Sequence, residues 1–402
     1  MPCLLKLPKN NSPGIVTFNT DEFFSDLFKK KELINFFQKN KKWIYGVNLS
    51  GSYERLKNFP DKDWLSFIMG YSFESPYLKN INIKKITNIS YINFLEIYNF
   101  DVNKKYWDIC VVSRNAEIKR ISYTVKLIKY LLKKKKNIKI LMIVPDSRSI
   151  FQKMNLNIFK KDNYYSLVLN LLSNDEKKKV DFVSCDVSIF GNHALSEKTL
   201  YRFFSESKYL MLNSKKEGIN RAIIEGLCHG ANAIVHSDLE SELNVLYLNN
   251  QNTIFIDENL EVSSEKIIQK LKDFDVKSEN INKYRDMFSN TNSKKKIETF
   301  FKKIFKSNSL PIDGKWYLHN LSQRLCNHGN RGIYTIQYSK KSFFEWFQKI
   351  EKLDENFIDE DNMYDYVFED KPNFLQYLNL QLYKTIGHLK KIIKNILRLN
   401  DR

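Results

Sequence analysis

The chain has 402 residues, 43% hydrophobic and 14% aromatic, and a formal charge of +19. That length exceeds one typical core, so two domains with extensions are expected, and no run approaches the ~18 to 20 uninterrupted apolar residues of a membrane span. Of the 65 basic residues only eleven are arginine, the side chain favoured for bidentate phosphate and base contacts, so nucleic acid is not the expected partner. A phosphorylated substrate or an anionic membrane face accounts for the charge equally well. The cysteines Cys3, Cys110, Cys185, Cys228 and Cys326 are scattered singly, without a CxxC pair, as reduced thiols are. The opening MPCLLKLPKNNSPG is too short and polar for a signal peptide, and a cytoplasmic location is expected.

About a hundred residues precede the first clear α/β unit. They hold two short strand candidates, GIVTFN from Gly14 and WIYGVNL from Trp43, separated by a helical stretch around Asp21–Gln38. From Trp107 the pattern sharpens. WDICVVS reads as a buried strand, Ile121–Lys134 as a helix with a basic outer face, and IKILMIVP as a strand stopped by Pro145. After a helical stretch near Tyr164–Leu172 come the strand VDFVSCDV, a turn at Gly191, a helix over Ser196–Ser205 opened by a serine cap, and the strand YLML. Residues 213–235, NSKKEGINRAIIEGLCHGANAIV, read as loop, short helix and strand. Gly218 frees the backbone at the turn, Ile219, Ile223, Ile224 and Leu227 recur at helical spacing, and Gly230 falls where the helix stops. NTIFID and Ser263–Phe274 add a strand and a helix, so residues 106–275 alternate as a doubly wound parallel sheet does.

Sheets of that kind bind ligands at the carboxyl ends of their strands. Two strand-end loops carry unusual chemistry: SRNAEIKR, with Arg114 and Lys119, and SKKEGIN, with Glu217. A helix beginning near Asn220 directs its free N–H groups and positive dipole end beside Glu217, a seat for an anion such as phosphate. Glu217 and Glu225, eight residues apart, need a different partner, because a carboxylate is acceptor-only and repels phosphate. Vicinal sugar hydroxyls donate two hydrogen bonds, so one ligand with both phosphate and sugar suits the whole stretch. Arg221 in the first helical turn is either a phosphate contact or a solvated, ion-paired side chain, and His193 lies near the expected ligand mouth. Cys228 and His229, at the helix end, read as packing or as partners of the C-terminal dipole.

The order strand, Arg-x4-Lys, helix, strand, an Asn/Gly/Leu-containing turn and helix, then Glu-x7-Glu resembles the donor half of the family-4 retaining glycosyltransferases of the GT-B fold, over residues 106–275. The resemblance implies an α/β, GT-B-like chain: a short N-terminal acceptor-side domain (1–105), a Rossmann-like nucleotide-sugar-binding domain (106–306) and a helical C-terminal extension (307–402). By resemblance Arg114 and Lys119 hold the donor diphosphate, Glu217 contacts hydroxyls of the transferred sugar, Glu225 bonds the ribose, and Gly218 is the loop glycine. The SIFGNHALSEKTLYRFF run matches the segment near the nucleobase, with Gly191 at its turn and Leu200 and Tyr201 in the core. Asn220 stands where the family has a second glycine, with a left-handed turn as the conformation that fits there. No glycine-rich loop appears in the amino-terminal half, and no histidine precedes His193.

The implied activity is hexosyl transfer from a nucleoside-diphosphate sugar to a glycan or lipid-linked glycan, with retention by front-face attack. The leaving phosphate oxygen takes the acceptor proton, and fixed cations with a helix N-terminus stabilise the departing charge, so no metal or further cofactor is expected. Asp61–Asp63, Asp273–Asp275 and Asp359–Asp361 are accordingly read as surface acid. The alternative is a non-catalytic GT-B-like binding or scaffold protein whose shortened amino-terminal half forms no acceptor cleft.

The tail is rich in aromatics and charge, includes DENFIDEDNMYDY, and closes on a basic amphipathic helix. Leu375, Leu378, Leu382, Ile386, Leu389, Ile393 and Ile396 form its apolar stripe, with Lys384, Lys390, Lys391, Lys394 and Arg398 between them. Packing on the protein's own domains, peripheral contact with the inner face of a membrane, and self-association are its three readings.

Overall fold

A computed structural model describes residues 3–23, 26–49, 62–70, 85–113, 117–135, 137–146, 171–186, 195–217, 220–241, 247–319, 321–325 and 340–352. Arg114, Gly191, His193, Gly218, Ile219, most of the stretch expected as helix near Tyr164, and the amphipathic tail 375–402 lie outside these residues.

The amino-terminal half contains a five-stranded sheet, of which the sequence pattern shows two strands. Strands β1 (Cys3–Lys6), β2 (Gly14–Asn19), β3 (Trp43–Asn48), β4 (Leu65–Met69) and β5 (Ile86–Thr87) lie in that order, β1 antiparallel to β2 and the rest parallel. β2 and β3 are buried throughout. Gly46 on β3 is required by packing, because a Cβ there would lie 2.1 Å from the Phe67 ring. The helical stretch expected over Asp21–Gln38 is not continuous. Thr20–Phe23 is one helical turn, Asp26–Lys29 is 3-10, and Lys30 is extended before the helix Lys31–Lys39, which buries Leu33 and Phe37.

The second sheet is six-stranded and parallel throughout: β6 (Trp107–Val112), β7 (Ile140–Asp146), β8 (Val180–Asp186), β9 (Ser207–Leu212), β10 (Asn232–His236) and β11 (Thr253–Ile256). Its spatial order is β11-β10-β9-β6-β7-β8. Counted from β6 this is the 3-2-1-4-5-6 order of doubly wound sheets, with the reversal between β6 and β9. The helix Ile121–Lys134 turns Val125, Ile128, Leu131 and Leu132 onto one face, beside Ile267 and Leu271 of the helix Leu260–Lys272. The helices Glu197–Ser205, Arg221–Cys228 and Ser278–Phe288 cover the other face through Tyr201, Ile224 and Phe288.

Two boundaries differ from the sequence pattern. β7 does not stop at Pro145: Pro145 and Asp146 pair with Cys185 and Asp186 of β8. β6 ends opposite Ile143, so beyond that point β7 faces no strand on that side and a residue without an N–H is tolerated. The helix expected from Ser263 starts at Leu260, because Asn259 caps the N–H groups of Glu261 and Val262.

The chain then returns to its beginning. Leu95 accepts from Asn290 and donates to Phe288 O, and the helix Asn290–Ser307 buries Ile297, Phe301, Ile304 and Phe305 among Leu5, Ile15, Ile44 and Phe67. Tyr317 N–H donates to Leu5 O (2.9 Å), Asn48 Nδ2 donates to Leu325 O (2.9 Å), and the buried Arg324 guanidinium donates to Tyr317 O (2.8 Å). On the opposite face Phe347 and Ile350 of the helix Lys340–Glu351 join Phe37, Trp43 and Tyr45. The five strands are therefore covered by segments that follow the second sheet in sequence. Among the described residues no helix is long and apolar enough to cross a membrane.

Candidate functional site

The strand order reverses between β6 and β9, and outside the carboxyl ends of two such neighbours doubly wound sheets form their ligand crevice, because the connections run to opposite sides. Lys119 stands in the short 3-10 turn Glu117–Lys119 after β6, and Glu217 in the loop after β9. Their side chains, 13% and 14% exposed, form an ion pair across the crevice. Backbone bonds fix the loop that carries Glu217. Lys215 N–H donates to Ile118 O (2.9 Å), Glu217 N–H to Glu240 O (3.0 Å), and Glu240 N–H to Lys215 O (2.9 Å). Asn213 and Ser214, both buried, lie at the same strand end. Asn213 Nδ2 donates to Thr124 Oγ1 (2.8 Å), while Asn213 Oδ1 and Ser214 Oγ meet no partner among the described residues.

The helix after this loop begins where the sequence places it, at Arg221. Asn220 does not take a left-handed turn. Its backbone is extended (φ −74°, ψ 113°) and its Oδ1 accepts from Ile223 N–H at 3.1 Å, so asparagine serves here as an N-cap. The helix ends as expected: Gly230 has φ +86° and Ala231 N–H reaches back to Gly226 O at 2.9 Å. Gly226 faces β9 so closely that a Cβ would lie 2.2 Å from Leu210 Cδ1.

Glu225 is 3% exposed and already held by the protein. Its Oε1 accepts from Tyr201 Oη at 2.8 Å and from Arg221 Nε at 2.5 Å. Arg221 is ion-paired, one of the readings the sequence offered, and its Nη2 also donates to Glu197 Oε1 at 2.5 Å. Burial pushes the Glu225 carboxyl up, against Arg221 and Tyr201. Burial also opposes the Arg221 charge, but Glu225, Tyr201 and Glu197 outweigh it and keep the guanidinium protonated. The Tyr201 ring stacks on His229 (centroids 4.6 Å apart, 29° between planes), and His229 Nδ1 bonds Glu225 O at 2.7 Å. Burial pushes His229 down to about 4 and the Cys228 thiol up, so both are packing groups, as the sequence suggested.

Glu197 is the member of this cluster that sequence reasoning missed, together with the hydroxyl role of Tyr201. A readable signal existed for Arg221, which stands four residues before Glu225 on one helix face. The link to Glu197 crosses between helices and has no local signature. At the end of β10, His236, Asp238 and Glu258 bring metal-ligating atoms within 4.8 Å of one another. The Arg120 guanidinium pairs with Asp238 and lies 3.9 Å from Glu258, supplying the positive charge of that cluster itself. Asp273 and Asp275 are exposed at and beyond the end of the helix Leu260–Lys272, as surface acid.

No family model matches the chain, and no curated protein matches it. Solved structures do resemble it. TarM is 15% identical with a TM-score of 0.48, the likeness covering 71% of this chain and 54% of TarM. The pneumococcal O-GlcNAc transferase GtfA, solved with UDP and GlcNAc, is 13% identical with a TM-score of 0.45, over 67% of this chain and 54% of GtfA. Sucrose-phosphate synthase from Thermosynechococcus elongatus is 13% identical with a TM-score of 0.47, over 73% of this chain and 74% of the synthase. The chain spans about half the length of TarM and GtfA. The chain's own topology, a doubly wound six-stranded parallel sheet and a smaller five-stranded sheet, is the α/β arrangement expected from the sequence.

Proposed function

We propose that the chain is a nucleotide-sugar-dependent glycosyltransferase that moves a hexosyl group, with retention, to a glycan or lipid-linked glycan. The observation that carries this reading is the Lys119–Glu217 pair across the switch point of the parallel sheet. A cation and a carboxylate held together there, mostly shielded from water, separate only for a ligand that satisfies both. A diphosphate takes the lysine and sugar hydroxyls take the glutamate. The N-terminus of the helix Arg221–Cys228, capped on one N–H by Asn220, adds its remaining N–H groups on the phosphate side. Negative charge grows on the leaving diphosphate as the glycosidic bond breaks, and Lys119, with Arg114 five residues before it in sequence, supplies fixed positive charge. The leaving phosphate oxygen accepts the acceptor's proton, so this account assigns no carboxylate nucleophile and routes no step through a metal. For a lipid-linked acceptor, the basic amphipathic tail 375–402 provides peripheral contact with the inner face of a membrane.

The test is a thermal-shift and hydrolysis screen with UDP-, GDP- and ADP-hexoses, comparing the native chain with Glu217→Ala and with Arg114→Ala plus Lys119→Ala. One nucleotide sugar is expected to raise the native melting temperature and be slowly hydrolysed, with both effects lost in the double variant. Stabilisation without turnover on any acceptor favours the binding-protein alternative. Equal stabilisation of native and variant chains rejects the site.

A further inference from the structure

Two basic residues stand side by side at the switch point and take different partners. Lys119 pairs with Glu217 of the loop after β9, whereas Arg120 reaches Asp238 in the loop after β10. The Arg120 fork is bidentate: Nη1 donates to Asp238 Oδ1 at 2.7 Å and Nη2 to Oδ2, an arrangement that fixes orientation as well as charge. Asp238 is held in turn by His236, whose Nδ1 lies 2.5 Å from the same Oδ1. Arg120 is also bent against its own preference. Its backbone is left-handed (φ 48°, ψ 47°), a conformation that strains any residue with a Cβ. From that turn its carbonyl opens the helix Ile121–Lys134, accepting from Thr124 N–H at 3.0 Å.

These contacts close a ring around the Lys119–Glu217 pair. Two residues beyond Asp238, the Glu240 carbonyl accepts from Glu217 N–H at 3.0 Å, and Lys215 N–H donates to Ile118 O at 2.9 Å, one residue before Lys119. Those two links are backbone; the Arg120–Asp238 link is made by side chains. We propose that the Arg120–Asp238 pair is a clamp that holds the left-handed turn and thereby aims Lys119 across the switch point, with Arg120 and Asp238 as positioning residues rather than ligand contacts. This rests on the donor-site reading above and narrows it. A left-handed residue with a Cβ persists only where its surroundings fix it, and the fixing group here is the fork on Asp238. Once released, residue 120 relaxes to the right-handed region, and the Lys119 side chain swings with the turn that carries it. A partly exposed ion pair adds little to global stability, so the effect of the clamp falls on ligand affinity.

The experiment is calorimetric titration of the full chain with UDP, GDP and ADP. The nucleotide that binds is then titrated into Arg120→Ala, Asp238→Ala, the two together and Arg120→Gly, each with its melting curve. Arg120→Ala and Asp238→Ala are each expected to weaken binding about tenfold, and the double variant no further, because either change opens the same clamp. Arg120→Gly should recover most of that loss, to within about threefold of native, since glycine takes the left-handed turn without a clamp. If Asp238→Ala fails to fold, Asp238→Asn, which keeps one acceptor for the fork, should show a smaller loss in the same direction. A merely structural pair would leave Arg120→Gly binding no better than Arg120→Ala, or leave affinity unchanged while the melting temperature falls, and either result overturns the inference. If Arg120 instead contacts phosphate, both Arg120 variants lose binding alike, while Asp238→Ala frees the guanidinium and binds at least as well as native. That outcome overturns the clamp and spares the donor site. Binding of none of the three nucleotides by the native chain rejects the donor reading, and this inference with it.

Discussion

The two sheets share a construction and differ at their carboxyl ends. β2, β3, β4 and β5 end on Asn19, Asn48, Met69 and Thr87, neutral side chains, and beneath them lies an aromatic core of Phe18, Phe28, Phe37, Tyr45 and Trp64. The second sheet has an aliphatic core on one face and a mixed one on the other, and around its ends stand Lys119, Arg120, Glu217, Arg221, Glu225, His236 and Asp238, all in ion pairs. One half is organised around ring packing and closed by returning segments; the other presents paired charge at a topological switch point. Charges that are partly buried and pre-paired hold a shape until a ligand of matching charge pattern exchanges with them.

Substitutions that break this division should have effects of different size and kind. The largest is expected from Phe301→Ala, which removes a fully buried ring from the contact between the returning helix and β4 and should destabilise by about 3 to 5 kcal/mol in denaturant unfolding. A loss below about 1 kcal/mol would mean that the helix Asn290–Ser307 does not close the first sheet.

Next comes acid. His229 is neutral in the fold, brought down from 6.5 to about 4 chiefly by burial, and must charge once unfolded. Its contribution is complete above the unfolded value near 6.5 and lost as pH falls toward 4. At ~1.4 kcal/mol per pH unit this amounts to about 3 kcal/mol, absent in His229→Gln. A native chain and a variant that fall in parallel over that range would refute the assignment.

Gly226→Val should cost about 1 to 3 kcal/mol, because the close approach of Leu210 outweighs the ~1 kcal/mol that a residue with a Cβ gains over glycine in a helix. The variant should also weaken nucleotide binding by moving Glu225. Smallest is Ser196→Ala, which removes the cap on Thr199 N–H (3.1 Å) and should cost about 1 kcal/mol without touching ligand affinity. Thermal melting with and without nucleotide separates these two cases.

The same contrast explains what was legible in the sequence. Strands of the second sheet are apolar runs flanked by helices with serine or asparagine caps and glycine stops, so WDICVVS, YLML and Gly230 could be placed from local pattern. In the first half β1 and β5 are four and two residues long, too short for a period to register. Their stability comes from Ile297, Phe301 and Phe305, more than two hundred residues downstream, and no local window holds that information. At the candidate site, Lys119 and Glu217 could be placed near one another because both stand in loops at neighbouring strand ends. The capping role of Asn220 was not read, because attention went to the glycine it replaces, whereas its side chain answers the need of a helix N-terminus. The Glu197–Arg221 link joins two helices and exists only after folding.

The central claim is that the charged switch-point edge of the second sheet, rather than the first sheet, receives the nucleotide sugar. Hydrogen exchange of the native chain with and without a saturating UDP-, GDP- or ADP-hexose, whichever raises the melting temperature, tests it most directly. The account predicts slowed exchange confined to residues 113–121 and 213–223, with little change in β2 to β5. Protection centred on the first sheet, or none in those two loops despite measured binding, would contradict it.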